Sequence, residues 1–140
     1  MDADRLPAAF LREMRALLGD EYDEYIESLK EPWHPGLRIN GLKLEPEEFE
    51  KMVSWKLEPV PWEAAGFYYD PEEVRPSRHP WYYAGLYYLQ EPSAMAPAAF
   101  LPIEPGDRVL DLCAAPGGKS TALAAKLRGT GLLVSNDISY

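Results

Sequence analysis

A run of small residues between Asp111 and Ser120 is the stretch of the sequence best suited to hold a ligand. It reads Asp-Leu-Cys-Ala-Ala-Pro-Gly-Gly-Lys-Ser and lies between an apolar segment and a helical one. The N–H groups at the start of that helix favour an anionic group such as a carboxylate. The run therefore predicts a ligand-binding loop at the carboxyl end of a strand. Four of its residues have almost no side chain, so a ligand can approach the backbone closely: Ala114, Ala115, Gly117 and Gly118.

A second polar group is predicted at the same edge of the sheet. Asp137 closes residues 132–137, which predict the next strand. An acidic residue at the end of strand two can accept hydrogen bonds from ribose hydroxyls, and its charge repels a ribose phosphate. The alternative is that Asp137 is a solvated residue at the turn that ends the strand.

Spacing excludes two other nucleotide-binding motifs. The ending Gly-Lys-Ser fits a phosphate-binding P-loop, but that motif requires a glycine at the position of Cys113. The Gly-x-Gly-x-x-Gly pattern of nicotinamide-binding proteins is interrupted by Pro116, Lys119 and Thr121. The loop is therefore expected to bind neither ligand in the usual way.

The cysteine and histidine content limits the other chemistry. Cys113 is the single cysteine, which excludes an intramolecular disulfide and a cysteine-rich zinc site. With two histidines in addition, no dedicated metal centre is expected. As a nucleophile Cys113 has no nearby partner in the sequence, and its place after an apolar strand favours packing as a small hydrophobic residue. Lys119 is expected to lie near the ligand or to cap loop carbonyls.

Periodicity predicts the elements before the loop. Residues 6–29 have helical spacing, with a break at Gly19 between two helices. Residues 37–40 alternate like a half-buried strand, and residues 46–55 predict a short acidic helix. One or two short strands are expected within residues 60–69. Together these segments predict a small N-terminal α+β module over residues 1–92.

The segments around the loop predict a βαβ unit. Residues 93–101 indicate a short helix, and the strand at 108–113 is followed by a helix at 120–127 and a second strand at 132–137. Strands joined in this way should run parallel. The fold class is therefore α/β, with a ligand-binding domain that begins in residues 93–140.

Residues 71–92 are the one place where cations and aromatic residues interleave. Aromatic rings hold unpaired bases by stacking, at about 1–3 kcal/mol per base. The alternative is that these aromatics pack the seam between two modules. The candidates for facing RNA are Arg75, Arg78, Tyr82 and Tyr83.

The net charge of −9 opposes nucleic-acid binding by the chain as a whole. An RNA would have to bind a local patch against an unfavourable overall field. The composition is otherwise ordinary for a soluble globular protein, at 46% apolar and 26% charged residues. The first residues are no secretory signal, and no stretch reaches the roughly 18 apolar residues of a membrane span. A cytoplasmic location is expected.

The loop resembles the cofactor motif of the Nol/Nop/Sun family of RNA cytosine-C5 methyltransferases. Upstream, Leu-Arg-Ile-Asn from Leu37 and Tyr-Leu-Gln-Glu-Pro-Ser-Ala-Met from Tyr88 are similar to the family's N-terminal segments. The layout is similar to bacterial members that methylate small-subunit ribosomal RNA. The resemblance runs from about Leu6 to Ser139.

This resemblance implies a fold, a cofactor and a substrate. The fold would be the first βαβ unit of a Rossmann-like methyltransferase domain. The cofactor would be S-adenosyl-L-methionine, with Asp137 holding its ribose, and the partner would be RNA, most simply ribosomal RNA. The family attacks C6 of cytosine with a cysteine, because C5 is a poor nucleophile until C6 is substituted. The residues that match the family's cofactor loop are Cys113, Ala114, Ala115, Pro116, Gly117, Gly118 and Lys119.

The sequence departs from the family pattern in its catalytic residues. The family's catalytic cysteines lie in Pro-Cys and Thr-Cys motifs, and neither motif occurs here. No catalytic residue is therefore assigned, and the isolated chain is expected to be inactive and marginally stable. Sheet residues 109–110 and 132–134 would lack part of their cover. A chain that ends at Tyr140 suggests truncation. The alternatives are a non-catalytic RNA or ribosome adaptor and a nonfunctional product of a shortened reading frame.

Overall fold

The computed structural model describes residues 6–138, which form two compact units divided between Trp33 and His34. Expectations about the first five residues, Ser139 and Tyr140 fall outside the described part of the chain. The predicted division into residues 1–92 and 93–140 stays a prediction. Within residues 6–138, no helix is long and apolar enough to cross a membrane.

The first unit contains two helices. Helix α1 spans Ala8–Leu18, a single 3-10 turn follows over Gly19–Glu21, and α2 spans Tyr22–Ser28. Pro7 precedes the first turn of α1, where its missing N–H group costs nothing. Gly19 has φ +55°, a conformation that side chains disfavour. The predicted helical pair with a break at Gly19 is confirmed.

The second unit begins with a four-stranded antiparallel sheet. Its strands lie in the order β2-β3-β1-β4, so that β1 is paired on both sides. Helix α3, Pro46–Met52, connects β1 to β2 and begins with a capping box made by Glu45 and Glu48. The strands are β1 Gly36–Ile39, β2 Leu57–Pro59, β3 Gly66–Tyr69 and β4 Tyr87–Leu89.

An aromatic cluster fills the core on one face of this sheet. Phe49 of α3 is fully buried, and its ring centroid lies 5.5 Å from that of Tyr87, 5.9 Å from Trp55 and 6.0 Å from Trp81. Most of these rings meet edge to face, the arrangement that aromatic quadrupoles favour. Leu37 and Ile39 of β1 complete the cluster.

Strand β1 differs from its prediction. The alternation of residues 37–40 predicts one solvent-exposed face, but all four residues of β1 are buried. The second face is covered by the segment after β4, since a Cβ atom on Gly36 would lie 2.7 Å from the Gln90 carbonyl oxygen. Arg38 is only 3% exposed as a result.

The βαβ unit follows, and its parallel strand pair is confirmed. Strand β5 pairs in parallel with β6 from Arg108 opposite Leu132 to Asp111 opposite Ser135. The predicted helix at 93–101 consists of a 3-10 helix and a short α-helix, and the helix after the loop begins two residues earlier than predicted. A one-turn 3-10 helix, Pro92–Met95, leads into α5 Ala96–Phe100, then β5 Arg108–Asp111, α6 Gly118–Leu127 and β6 Leu132–Ser135.

The strands β5 and β6 are covered on one face only. Val109 and Leu133 pack against a small core of Ala98, Ala122 and Leu123 contributed by α5 and α6. On the other face Leu110 is 60% exposed, and Leu132 and Val134 are nearly half exposed. The expected lack of cover is thus confirmed for these three residues, whereas Val109 and Leu133 are partly buried against the small core.

Candidate cofactor site

Asp111 holds the two ends of the loop together. It is the last residue of β5 and is 8% exposed. Its Oδ1 accepts a hydrogen bond from the Cys113 N–H at 3.1 Å, and its Oδ2 accepts one from the Ser120 hydroxyl at 2.6 Å. One buried carboxylate therefore binds both the start of the loop, at Cys113, and the first turn of α6, at Ser120. This role of Asp111 was not predicted from the sequence, although an acidic residue at the end of an apolar strand indicates it.

The loop then makes a tight turn that requires glycine. Gly117 has φ +109° and donates its N–H to the Ala114 carbonyl oxygen at 2.6 Å. The Ala115–Pro116 peptide bond is cis. The Ala114 N–H donates to the Asn136 carbonyl oxygen at 2.9 Å, which ties the turn to the end of β6. The tip of the loop is thus connected to both parallel strands.

Asp137 lies beside the loop, at the carboxyl end of β6. Its Oδ2 accepts a hydrogen bond from the Ala115 N–H at 2.8 Å. The side chain is partly buried. Asp137, which was predicted from its position at the end of strand two, therefore contacts the loop that contains the other predicted ligand-binding residues.

The antiparallel sheet supplies a second wall. The Tyr88 hydroxyl donates to the Pro116 carbonyl oxygen at 3.0 Å. A Cβ atom on Gly118 would lie 3.1 Å from Gln90 Nε2 and 3.3 Å from Tyr88 Cε1, so only glycine lets α6 approach this wall so closely. Behind the wall, Arg38 donates from Nη2 to the Gly118 carbonyl oxygen at 2.9 Å.

The loop and the sheet border an open cavity of about 210 Å³. Six of the predicted cofactor residues line it, whereas Gly117 shapes the turn and Asp137 holds the loop at Ala115. The segment on the sheet side resembles a family pattern in the sequence, but its residues were not predicted as site residues. The lining consists of Tyr88, Leu89, Gln90, Glu91 and Ala94 on one side and Cys113, Ala114, Ala115, Pro116, Gly118 and Lys119 on the other.

Two charged side chains lie at the wall of the cavity. Glu91 accepts hydrogen bonds from the Ser93 hydroxyl and, at 3.0 Å, from the Ala94 N–H. Burial alone raises the pKa of Glu91, but the hydrogen bonds from Ser93 and Ala94 outweigh it and leave that pKa below its ordinary value. Lys119 is exposed, and its ammonium makes no hydrogen bond or ion pair with other residues among 6–138. It therefore does not cap loop carbonyls.

Cys113 is exposed and not packed as a small hydrophobic residue, which corrects the sequence-based expectation. The physical reason is that β5 ends at Asp111, whose carboxylate accepts the Cys113 N–H and starts the loop there. Cys113 thus lines the cavity between the loop and the sheet. Across residues 6–138, no three His, Cys, Asp or Glu side chains lie close enough to hold a metal ion.

The four residues predicted to face RNA are two arginines and two tyrosines. Arg75 precedes the one-turn 3-10 helix Pro76–Arg78, Arg78 is its last residue, and both are exposed. Tyr83 is 78% exposed at the end of α4, Pro80–Tyr83, and its ring lies 5.5 Å from that of the exposed Tyr82. The neighbouring Trp81 and Tyr87 instead belong to the aromatic core of the sheet.

The chain is similar in sequence to ribosomal RNA small subunit methyltransferases. Residues 6–92 match the family described as the N-terminal domain of 16S rRNA methyltransferase RsmF. Ribosomal RNA small subunit methyltransferase F of Serratia proteamaculans is 39% identical over 143 residues, which cover 96% of this chain and 30% of the relative. The corresponding protein of Pectobacterium carotovorum is 38% identical, with the same two coverages. The chain therefore spans 30% of the length of these curated relatives.

Solved structures share the fold. A methyltransferase homologue from Pyrococcus horikoshii has a TM-score of 0.79 and 28% identity over 96% of this chain and 49% of that protein. NSun6 from the same organism, crystallised with SFG, has a TM-score of 0.79 at 18% identity over 95% of this chain and 59% of its own, a likeness of fold alone. The architecture is that of a mixed α/β chain with methyltransferase neighbours.

Proposed function

We propose, since the chain belongs to the family of RsmF N-terminal domains, that it carries part of the S-adenosylmethionine site of an enzyme that methylates C5 of a cytosine in ribosomal RNA. The observation that carries this proposal is the cavity of about 210 Å³ between the Asp111–Ser120 loop and the segment from Tyr88 to Ala94. Two segments that are distant in the sequence meet there. In this proposal, the βαβ unit is the start of a Rossmann-like methyltransferase domain.

The residues of the chain fit the parts of this cofactor. When bound, S-adenosylmethionine supplies the methyl group as an electrophile. The small residues of the loop let it approach the backbone, and the start of α6 together with the ammonium of Lys119 favours its carboxylate. Asp137, next to Ala115, would accept hydrogen bonds from the ribose hydroxyls. A ribose phosphate would be repelled by that carboxylate.

The cytosine chemistry is assigned to the family and not to a residue of this chain. Activation of C5 requires a cysteine that adds to C6. Cys113 lies in the cofactor loop, outside the Pro-Cys and Thr-Cys context that the family uses. The cytoplasm is the proposed location, because the proposed substrate is ribosomal RNA.

Calorimetric titration tests the cofactor proposal, with ATP as the matched control ligand. We expect S-adenosylmethionine to bind the chain, more weakly than it binds intact RsmF of Serratia proteamaculans. ATP should not bind, because the loop lacks the first P-loop glycine and has Cys113 in its place. Absence of heat and of competition at about 1 mM S-adenosylmethionine, equivalent to a binding free energy weaker than about −4 kcal/mol, would contradict the proposal.

The exposed arginines and tyrosines favour a second, RNA-contacting role. Filter binding of a 16S rRNA fragment across a salt series should show retention that weakens as salt rises. The double variant R75A/R78A should lower the slope of log K against log salt by about 0.7 for each phosphate that is no longer neutralised. Tyr83→Ala should weaken binding at every salt concentration, because it removes a ring on which a base can stack.

Arg108→Ala is the matched control, because Arg108 is also exposed but lies on β5. It should leave both the affinity and the slope unchanged. Equal losses for Arg108→Ala and R75A/R78A would mean that these residues form no patch and that retention reflects general charge. Retention that is insensitive to salt would exclude the RNA-contacting role.

A further inference from the structure

Arg38 is the most deeply buried charged residue in the part of the chain that the structure describes. It lies on β1, one of the two central strands of the sheet, and is 3% exposed. Burying a guanidinium costs several kcal/mol unless its N–H groups find partners. A cation in this position therefore calls for a structural reason.

The guanidinium of Arg38 donates to three neutral groups, and the residues of two of them, Gln90 and Gly118, line the cavity. Nε donates to Gln90 Oε1 at 3.0 Å, and Nη2 donates to the Gly118 carbonyl oxygen at 2.9 Å and to the Thr121 hydroxyl at 2.8 Å. Within residues 6–138 the guanidinium makes no ion pair. Its partners are separated from it by 52, 80 and 83 residues.

Two of these partners, Gln90 and Gly118, line opposite sides of the cavity. Gln90 lies on the sheet side, where its amide also donates to the Ala94 carbonyl oxygen at 2.9 Å. Gly118 and Thr121 form the first turn of α6, directly after the Gly117 turn. The planar fork of one guanidinium thus fixes the distance between the two walls, which the point charge of a lysine cannot do.

The Thr121 hydroxyl extends this network into the loop. It accepts from Arg38 and donates to the Gly117 carbonyl oxygen at 2.8 Å. Tyr88 makes a parallel link to Pro116 from the sheet. The backbone of the loop from Pro116 to Gly118 is therefore held by side chains that come from outside the βαβ unit or from α6 itself.

We propose that Arg38 is a positioning residue that holds the cofactor loop in its binding conformation, so that cofactor affinity depends on the N-terminal sheet. The inference rests on the proposed function for the identity of the ligand, S-adenosylmethionine. Without the guanidinium, the first turn of α6 is no longer linked to Gln90. Ordering the loop during binding then costs free energy, which lowers the affinity for the cofactor.

The test compares Arg38→Met with Arg38→Lys in the whole chain. Arg38→Met keeps the aliphatic length and should weaken S-adenosylmethionine binding about tenfold or more. Arg38→Lys keeps the charge and should recover part of that loss. Hydrogen exchange of the unliganded protein should quicken at residues 117–121 in both variants. Faster exchange confined to this segment separates positioning from a general loss of stability.

Phe49→Leu is the control for stability, because it opens the aromatic core without touching the loop. At matched folded fraction it should leave the affinity and the exchange of residues 117–121 unchanged. If Arg38→Met does not fold, Thr121→Val removes the hydroxyl that accepts from Arg38 and donates to Gly117, with Thr130→Val, three residues beyond the end of α6, as its partner control. Thr121→Val should weaken binding and Thr130→Val should not.

The possible results separate this inference from the function that it rests on. If the unsubstituted chain fails to bind S-adenosylmethionine, the proposed function is lost, and exchange at residues 117–121 still decides whether Arg38 orders the loop. If the chain binds, and Arg38→Met or Thr121→Val binds equally well with unchanged exchange, the positioning role is overturned while the proposed function stands.

Discussion

Replacing Asp137 with alanine is expected to abolish S-adenosylmethionine binding by the chain. The substitution removes the acceptor that holds the Ala115 N–H at 2.8 Å and, in the proposed complex, the acceptor for the ribose hydroxyls. Hydrogen bonds to a charged group contribute about 1.5–3 kcal/mol each. Loss of two such bonds therefore weakens binding by at least about a hundredfold. For a site that already binds weakly, this takes the calorimetric signal below detection.

Two control variants give this experiment its resolution. Asp137→Asn keeps an oxygen for the Ala115 N–H but loses the charge, so an intermediate loss of about tenfold is expected. Asp107→Ala removes a carboxylate at the opposite end of β5, where Asp107 Oδ2 accepts from the Glu104 N–H at 2.9 Å, and should leave affinity unchanged. Undiminished binding by Asp137→Ala would remove Asp137 from the cofactor site.

The 140-residue chain is expected to transfer no methyl group to RNA. C5 of cytosine becomes nucleophilic only after a thiolate adds to C6, and the chain's one cysteine lines the cofactor cavity. A tritiated methyl-transfer assay on unmodified 16S rRNA should therefore give the counts of a no-enzyme blank. Intact RsmF of Serratia proteamaculans, under the same conditions, serves as the positive control.

Cys113→Ser makes the assay decisive about the cysteine. The variant should bind S-adenosylmethionine nearly as well as the unsubstituted chain, since serine occupies a similar volume and the backbone contacts of the loop remain. Turnover that is clearly above the blank, and that disappears in Cys113→Ser, would identify Cys113 as a nucleophile and contradict the assignment.

Features set by local sequence were predicted well. The βαβ unit follows from two apolar runs separated by a helical pattern, and the presence of a loop between the first strand and the helix follows from the run of small residues. The break at Gly19 has the same local origin. The position of Asp137 beside the loop follows in turn, because parallel strands end at the same edge.

Features set by distant contacts were not predicted. An arginine in an alternating segment indicates a solvent-facing side chain, and the burial of Arg38 becomes apparent only with acceptors 52 to 83 residues away. Strand β4 was missed because Tyr87-Tyr88-Leu89 does not alternate and lies among arginines and aromatics. The same lack of a local signal hid the sheet side of the cavity.

The division of the aromatic residues between core and surface also escapes a local pattern. Trp81 and Tyr83 stand two positions apart on the four-residue helix α4, yet Trp81 packs in the core while Tyr83 is exposed. A helix this short gives no periodicity from which to choose a buried face. In the folded chain Trp81 is the more buried residue of the two, because it packs against Phe49 and Trp55.

Backbone amide NMR of the chain, titrated with S-adenosylmethionine, tests the cofactor site most directly. The predicted result is a set of shift changes confined to residues 113–119, Asp137 and the segment from Tyr88 to Ala94, the residues around the cavity. Absence of shift changes at about 1 mM ligand, or changes that fall on α1 and α2 instead, would contradict the assignment of this cavity to the cofactor.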